Sequence, residues 1–303
     1  MSDGIEIRPL RNLEECQHFQ EVQRRVWNSD DLDVVPTHVL ITQMKNGGLL
    51  LGAFAPEGPP ELDGMVGILL GWPGLVQDRE GRWLPKHCSH MVGILPEWQG
   101  HGLGLRLKLA QRRALLEQGV ATWVTWTYDP LQRVNGALNI HRLGATCQTY
   151  LRNVYGVMTD ALNAGMPSDR CQVDWRIDSR RVRHALARPR QDPDWTTIPL
   201  QILPTAPAEV DAKEGDANLR RPPEPLPALD GRPLAVPLPE SVSAIRATSL
   251  ELLLAWRFFM RQALETSFQA GYRLVDCVPL ADQGWHYILV PDGSAPFGDA
   301  DWP

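Results

Sequence analysis

Gln99, Gly100, His101, Gly102, Leu103 and Gly104 set three glycines at every second position, after an apolar run (Met91 to Leu95) and before a helical pattern. Glycine lets a backbone turn sharply and brings its amide N–H groups close to an anion, because no Cβ intervenes. The helix that follows adds unpaired first-turn amides and the positive end of its dipole, so a pyrophosphate can be held without a lysine. The spacing differs from the Gly-x-Gly-x-x-Gly of dinucleotide-binding turns, and no Gly-Lys-Ser/Thr follows, which excludes a P-loop. The chemistry this stretch supports is capture of a diphosphate by main-chain donors.

Such a turn needs a strand to deliver it and a helix to receive it. His87 to Leu95 reads as that strand, and Leu105 to Gln118 as the helix, with Leu105, Leu107, Leu109, Ala110, Ala114 and Leu116 on a broad apolar face and Gly119 as its stop. Upstream, Ile5 to Pro9 reads as a strand and Asn12 to Trp27 as an amphipathic helix capped by Asn12. Leu49 to Ala55 and Met65 to Trp72 read as a hairpin across the Pro- and Gly-rich turn Pro56 to Gly64. Downstream come a strand (Ala121 to Tyr128), a short helix (Asn135 to Leu143) and strands over Ala145 to Tyr155 and Cys171 to Ile177. The segment Pro189 to Pro239 holds nearly half of the prolines and reads as extended linker. Order returns as strand (Leu234 to Leu238), helix (Ser249 to Ala270, stopped by Gly271) and strands (Tyr272 to Pro279, Trp285 to Val290).

The composition is that of an ordinary globular chain: 303 residues, 43% hydrophobic and 22% charged, enough for one large core or two smaller ones. A net charge of -6 gives no general electrostatic reason to bind nucleic acid. Five scattered cysteines without a Cys-x-x-Cys pair indicate neither a disulfide framework nor a metal, and a reducing cytoplasm fits them. The start lacks a signal pattern and no apolar run is long enough for a membrane span, so no membrane association is expected.

The order strand, Ile94-Leu95-Pro96-Glu97-Trp98, Gln-x-x-Gly-x-Gly, helix resembles the acyl-CoA-binding motif of the GNAT superfamily of N-acetyltransferases, in which Arg or Gln begins the turn. The order of elements resembles a complete GNAT core, an α/β fold with a mixed α+β sheet. The expected organisation is that core over 1–178, a Pro-rich linker over 179–232 and a smaller β-α-β-β module over 233–303 that echoes part of a GNAT repeat. Ser89-His90-Met91, Leu107-Lys108 with Gln111-Arg112, Trp126 to Leu131, Asn153 to Gly156, and Ser168-Asp169-Arg170 before Trp175 resemble a branch of acetyltransferases with a C-terminal extension.

The resemblance implies acetyl-CoA or another acyl-CoA, such as succinyl-CoA, as co-substrate, with no metal. The acyl group would pass directly to a small-molecule amine, with an amino acid among the acceptors the resemblance suggests. Val92 and Ile94 would lie where the strand pairs with pantetheine and a backbone N–H polarises the thioester, an interaction worth about 2.7–4 kcal/mol in other acyl-transfer sites. The amides of Gln99 to Gly104 would hold the pyrophosphate, Leu105 would open the helix, and Lys108, one turn in, would stand beside the phosphates.

An amine near pH 7 is mostly protonated, so the reaction needs a base. His90 is the first candidate because it shares alternation parity with Val92 and Ile94, with Asp129 and Glu97 as rivals, Asp129 also as a seat for the substrate ammonium. The tyrosine that protonates the departing thiolate in many members falls here on Ile140, leaving His141, Tyr128 and Tyr150 as substitutes. A thiolate with pKa near 8.5 can also leave unaided. Trp123 and Trp126 read as core or as pocket lining, and Cys88 as a small apolar residue or an acyl carrier. Arg152, Asp169 and Arg170 read as carboxylate readers or surface ion pairs, and the arginines from Arg176 to Arg190 as a solvated helix or a 3′-phosphate contact. A catalytically silent CoA-binding regulator is the alternative function and an interaction scaffold a third. The oligomeric state, a homodimer included, is left open.

Overall fold

The chain opens with β1 (Glu6–Pro9), and Asn12 then caps α1 (Leu13–Trp27) by accepting a hydrogen bond from the Glu15 amide, as its residue type predicts. The structure is a computed structural model that describes residues 4–28, 33–78, 80–156, 165–187, 192–208, 219–224 and 226–293. A second helix, α2 (Thr37–Lys45), is absent from the sequence reading: Thr37, Val39, Ile41 and Thr42 are β-branched, and its N-cap, Pro36, offers no side-chain acceptor. There follow β2 (Leu49–Phe54), β3 (Met65–Gln77), β4 (Trp83–Ile94), α3 (Leu103–Gln118) and β5 (Trp123–Tyr128). Gly119 ends α3 in the left-handed region, its N–H donating to the Leu115 carbonyl.

The mixed α/β chain divides into two compact units, the first comprising Met1–Trp126 with Arg176–Asp178. Its sheet runs β1-β2-β3-β4-β5, antiparallel except for the β4–β5 pair. Alternate residues face opposite layers. Leu50, Ile68 and Leu70 pack with Phe19, Val22 and Leu40 of α1 and α2, while Leu51, Ala53 and Leu69 pack with Leu103 and Leu107 of α3.

The second unit comprises Thr127–Trp175 and Ser179–Pro303. It contains α4 (Arg133–Gly136), which widens into a π-helical turn over Ala137–Arg142, then β6 (Thr146–Leu151), β7 (Arg170–Arg176) and α5 (Arg180–Leu186). Short strands β8 (Gln201–Ile202), β9 (Ala206–Pro207) and β10 (Arg220–Arg221) precede β11 (Leu234–Pro237), α6 (Val242–Thr248), α7 (Leu250–Gln269), β12 (Tyr272–Leu280) and β13 (Gly284–Pro291). The sheet order is β7-β6-β12-β13-β11-β8, with β9 and β10 paired separately.

The expected division at 178 is corrected by this arrangement. The strands of the proposed C-terminal module join β6 through the Leu274–Cys147 register, and α7 ion-pairs with Asp129 and Asp169, so 233–303 does not form a unit of its own. Part of the expected linker is also regular: Ser179 caps α5, and β8 pairs in parallel with β11. The remaining expected linker positions 188–191, 209–218 and 225 and the tail from 294 lie outside the described residues.

Candidate functional site

In the first unit, β4 and β5 run parallel and pair at His87–Val124 and Cys88–Thr125. Beyond Cys88 the register ends, although β4 continues to Ile94, so among the described residues no strand pairs with that edge of Ser89 to Ile94. On its other edge β4 pairs with β3, Leu70 opposite Met91 and Gly71 opposite Ser89, which leaves His90 as the extra residue of a β-bulge. The sheet therefore opens at the level of Ser89.

β4 leads through a 3₁₀ turn (Pro96–Trp98) into the glycines. Gly100 and Gly102 have φ of 82° and 75°, the left-handed region that glycine enters without strain. A Cβ on either would meet nothing within 4 Å, so the turn faces open space, and no side chain caps the first turn of α3. The Gln99 side chain donates to the Ile94 carbonyl at 3.0 Å and ties the turn to the strand. His101 is exposed, its Nδ1 3.4 Å from the Trp98 carbonyl, and Leu103 is buried beneath as an anchor. The first-turn amides thus stand free of side-chain caps where the sequence places a diphosphate.

The bulge overturns the parity argument for His90. Val92 and Ile94 pack on the α3 layer, whereas the His90 ring lies 4.8 Å from that of Trp72, which packs with the α1–α2 layer. His90 thus sits on the opposite face from Val92 and Ile94, because one inserted residue reverses the alternation. It remains solvent-accessible at one side, while the protein around it desolvates the imidazolium and lowers its pKa below 6.5, which favours the neutral ring a base requires.

Lys108 is not a phosphate neighbour. It is 3% exposed, its Nζ donating to Ser89 Oγ at 2.7 Å and to Gln111 Oε1 at 3.3 Å and lying 3.5 Å from the centroid of the Trp126 ring. Gln111 Nε2 also donates to Ser89 Oγ, at 3.1 Å. Burial drives the lysine pKa well below its usual value. His87 lies in the same interior, its pKa lowered to about 4 by burial and then by Lys108, and its Nε2 has no hydrogen-bond partner among the described residues. A Cβ on Gly71 would come within 2.3 Å of that nitrogen, so the imidazole fills the space that a side chain at residue 71 would need. Trp126 is therefore a wall of a buried polar cluster, and Trp123 stacks under Arg176 at 4.0 Å.

No protein-family model and no curated protein matches this sequence. Among solved structures, the ribosomal-protein-S18-alanine N-acetyltransferase of Escherichia coli aligns with 57% of this chain and 94% of its own, at 17% identity and a TM-score of 0.42. NAA60 of Arabidopsis thaliana in complex with acetyl-CoA aligns over 57% and 99% at 12% identity and TM-score 0.45, and a GNAT-family acetyltransferase of Streptococcus pneumoniae over 56% and 97% at 14% and 0.42. The chain is similar in fold to GNAT acetyltransferases.

Apart from Glu97, the other residues put forward as base, acid or carboxylate reader lie in the second unit and are engaged there. Asp129 accepts two hydrogen bonds from the buried Arg257 guanidinium, at 2.9 and 2.8 Å, and a third from the Leu131 amide. A carboxylate held this way is a structural ion pair, not an open base or ammonium seat. Tyr128 is core: its hydroxyl is buried beside that of Tyr287, and burial raises its pKa well above the usual value, which makes it a poor acid. His141 Nδ1 lies 2.8 Å from Asp276 Oδ1, and Asp276 also accepts from Trp195 and the Cys277 amide. Tyr150 donates to Asp169, and Arg152 forms a bidentate pair with Glu265. Arg170 donates to the Asp169 carbonyl. Glu97 stands exposed in the 3₁₀ turn. Sequence reasoning missed Ser89 and Gln111 as site residues. Lys108 and Gln111, three apart on α3, form a polar pair facing inward, and that spacing was the available signal.

Proposed function

We propose that the chain is an acyl-CoA-dependent N-acyltransferase acting on a small-molecule amine, with acetyl-CoA or succinyl-CoA as donor. One observation carries this reading: β4 loses its β5 partner after Cys88 and runs, edge open, into a glycine turn whose helix has no side-chain cap. An extended pantetheine arm can add to such an edge as a strand would, while the uncapped amides receive the diphosphate. His90 supplies a neutral imidazole at the bulge, where the thioester end of the arm would lie.

These features support acyl transfer with His90 as proton acceptor. A main-chain N–H of the Val92 stretch polarises the carbonyl, and neither Tyr128 nor His141, both engaged elsewhere, protonates the departing thiolate. That same engagement, with Ile140 in place of a tyrosine, favours a second reading, a silent CoA-binding regulator. Calorimetry with acetyl-CoA and succinyl-CoA, followed by thiol release over a panel of amino acids and other small amines, separates them. Binding with amine-dependent thiol release supports the enzyme; binding without release supports the regulator; no binding of either overturns both.

A further inference from the structure

The interior polar cluster of the first unit contains a hydroxyl and an amine in contact at the point where the sheet opens. Ser89 is the first residue of β4 past its last pair with β5, and its Oγ is 2.7 Å from Lys108 Nζ. Lys108 is itself oriented by Gln111 Oε1 and by the face of Trp126. A nucleophile within hydrogen-bond reach of a base, the base held by further groups, is the arrangement that activates serine for covalent catalysis. We propose that Ser89 and Lys108 form a nucleophile–base dyad and that the acyl group passes through an acyl-Ser89 ester instead of moving directly to the amine.

This rests on the proposed acyltransferase function and specifies its route. An acyl-CoA arm entering along the open edge of β4 ends at the level where the β4–β5 register begins, which is Ser89. The Ser89 hydroxyl proton passes to the Lys108 nitrogen as Oγ bonds to the acyl carbon. The carbon–sulfur bond then breaks, and the CoA thiolate takes the proton from Lys108 and leaves as thiol. In the second half, the amine nitrogen bonds to the ester carbon and the carbon–Oγ bond breaks. Before this, His90 takes the proton of the incoming ammonium on its own side of the sheet; as the new bond forms, the amine gives its next proton to Lys108, which passes it to Oγ. No electrons are gained or lost.

The surroundings suit both protonation states of Lys108. Burial favours the neutral amine needed to accept the proton, and the Trp126 face at 3.5 Å stabilises the ammonium once formed. Ser89 is 3% exposed, which shields an ester from water until the amine arrives. Among the described residues, His87, its pKa lowered by burial, and the Cys88 thiol, its pKa raised by burial, both favour their neutral forms beside Lys108.

The test uses the full chain with acetyl-CoA and with succinyl-CoA, without amine, followed by intact-mass and peptide-mapping spectrometry. The expected result is one acyl group, as a hydroxylamine-labile ester on Ser89, discharged by an accepted amine, with parallel lines in double-reciprocal kinetics. Ser89→Ala should abolish the adduct while leaving acyl-CoA affinity unchanged. Lys108→Met should slow its formation about 10²–10⁴-fold, the range of a lost general base. Intersecting lines with no adduct, or an adduct on Lys108 or Cys88, overturn the dyad while turnover with amine keeps the acyltransferase reading. Failure of the wild-type chain to bind either donor overturns both. The kinetic pattern of the wild-type chain decides the matter even if a variant does not fold.

Discussion

Gly102 occupies φ 75° with open space where a Cβ would stand, so a side chain there would cost conformational energy, about 1–2 kcal/mol, without colliding with the protein. Gly102→Leu is therefore expected to stay folded by circular dichroism and to lose acetyl-CoA binding by calorimetry, because the side chain fills the cradle; unchanged affinity would remove the cradle assignment. At the bulge, His90 serves as base only when neutral. Since burial lowers its pKa below 6.5, kcat should hold its plateau below pH 6.5 and fall as pH drops through the lowered value. His90→Gln should reduce kcat about 10²–10⁴-fold and erase that acid limb; a variant that keeps the limb excludes His90. The glycine turn was readable from sequence because its conformation is local. The face of His90 was not, because a bulge is decided by how β3 and β4 pair, and the burial of Lys108 depended on where α3 meets the sheet.

Helix α7 shows what spacing alone can convey. Arg257 and Arg261 lie four apart and must share a helix face, yet their partners, Asp129 and Asp169, stand at sequence separations of 128 and 92. Arg257 is 2% exposed, so Asp129→Ala leaves a buried guanidinium unpaired and should destabilise the chain by about 3–5 kcal/mol in urea unfolding; a loss under 1 kcal/mol would show the pair to be dispensable. Desolvation alone would raise the Asp169 pKa, but Arg261, the Asn153 amide and the Tyr150 hydroxyl hold it below its usual 3.8. Its folded pKa being depressed, its contribution is present above pH 3.8 and is lost as pH falls through the lower folded value. Asp169→Asn should flatten the fall in urea-unfolding stability over that range. Helix α2 escaped the sequence reading for a related reason: its β-branched residues disfavour helix, and packing of Leu40 against the sheet overrides them.

For the molecule as a whole, a ligand that binds only the folded chain stabilises it by about 2.7 kcal/mol at 100 times its Kd. Acetyl-CoA at that excess should raise the unfolding temperature, and hydrogen-exchange protection should concentrate in Ser89 to Ile94 and Gln99 to Leu105; protection elsewhere alone would relocate the site. Sequence by itself determined the alternation of strands and helices, the strand–turn–helix that bears the glycines, the cap at Asn12 and the stop at Gly119, because each depends on residues within a few positions of one another. Only the tertiary structure decided that residues 127–175 and 179–303 form one unit, that Asp129, Tyr128 and His141 serve packing and ion pairing, and that Ser89 meets Lys108. Those outcomes depend on contacts between distant segments, where desolvation and charge pairing compete, and no local pattern encodes which partner a buried polar group will find.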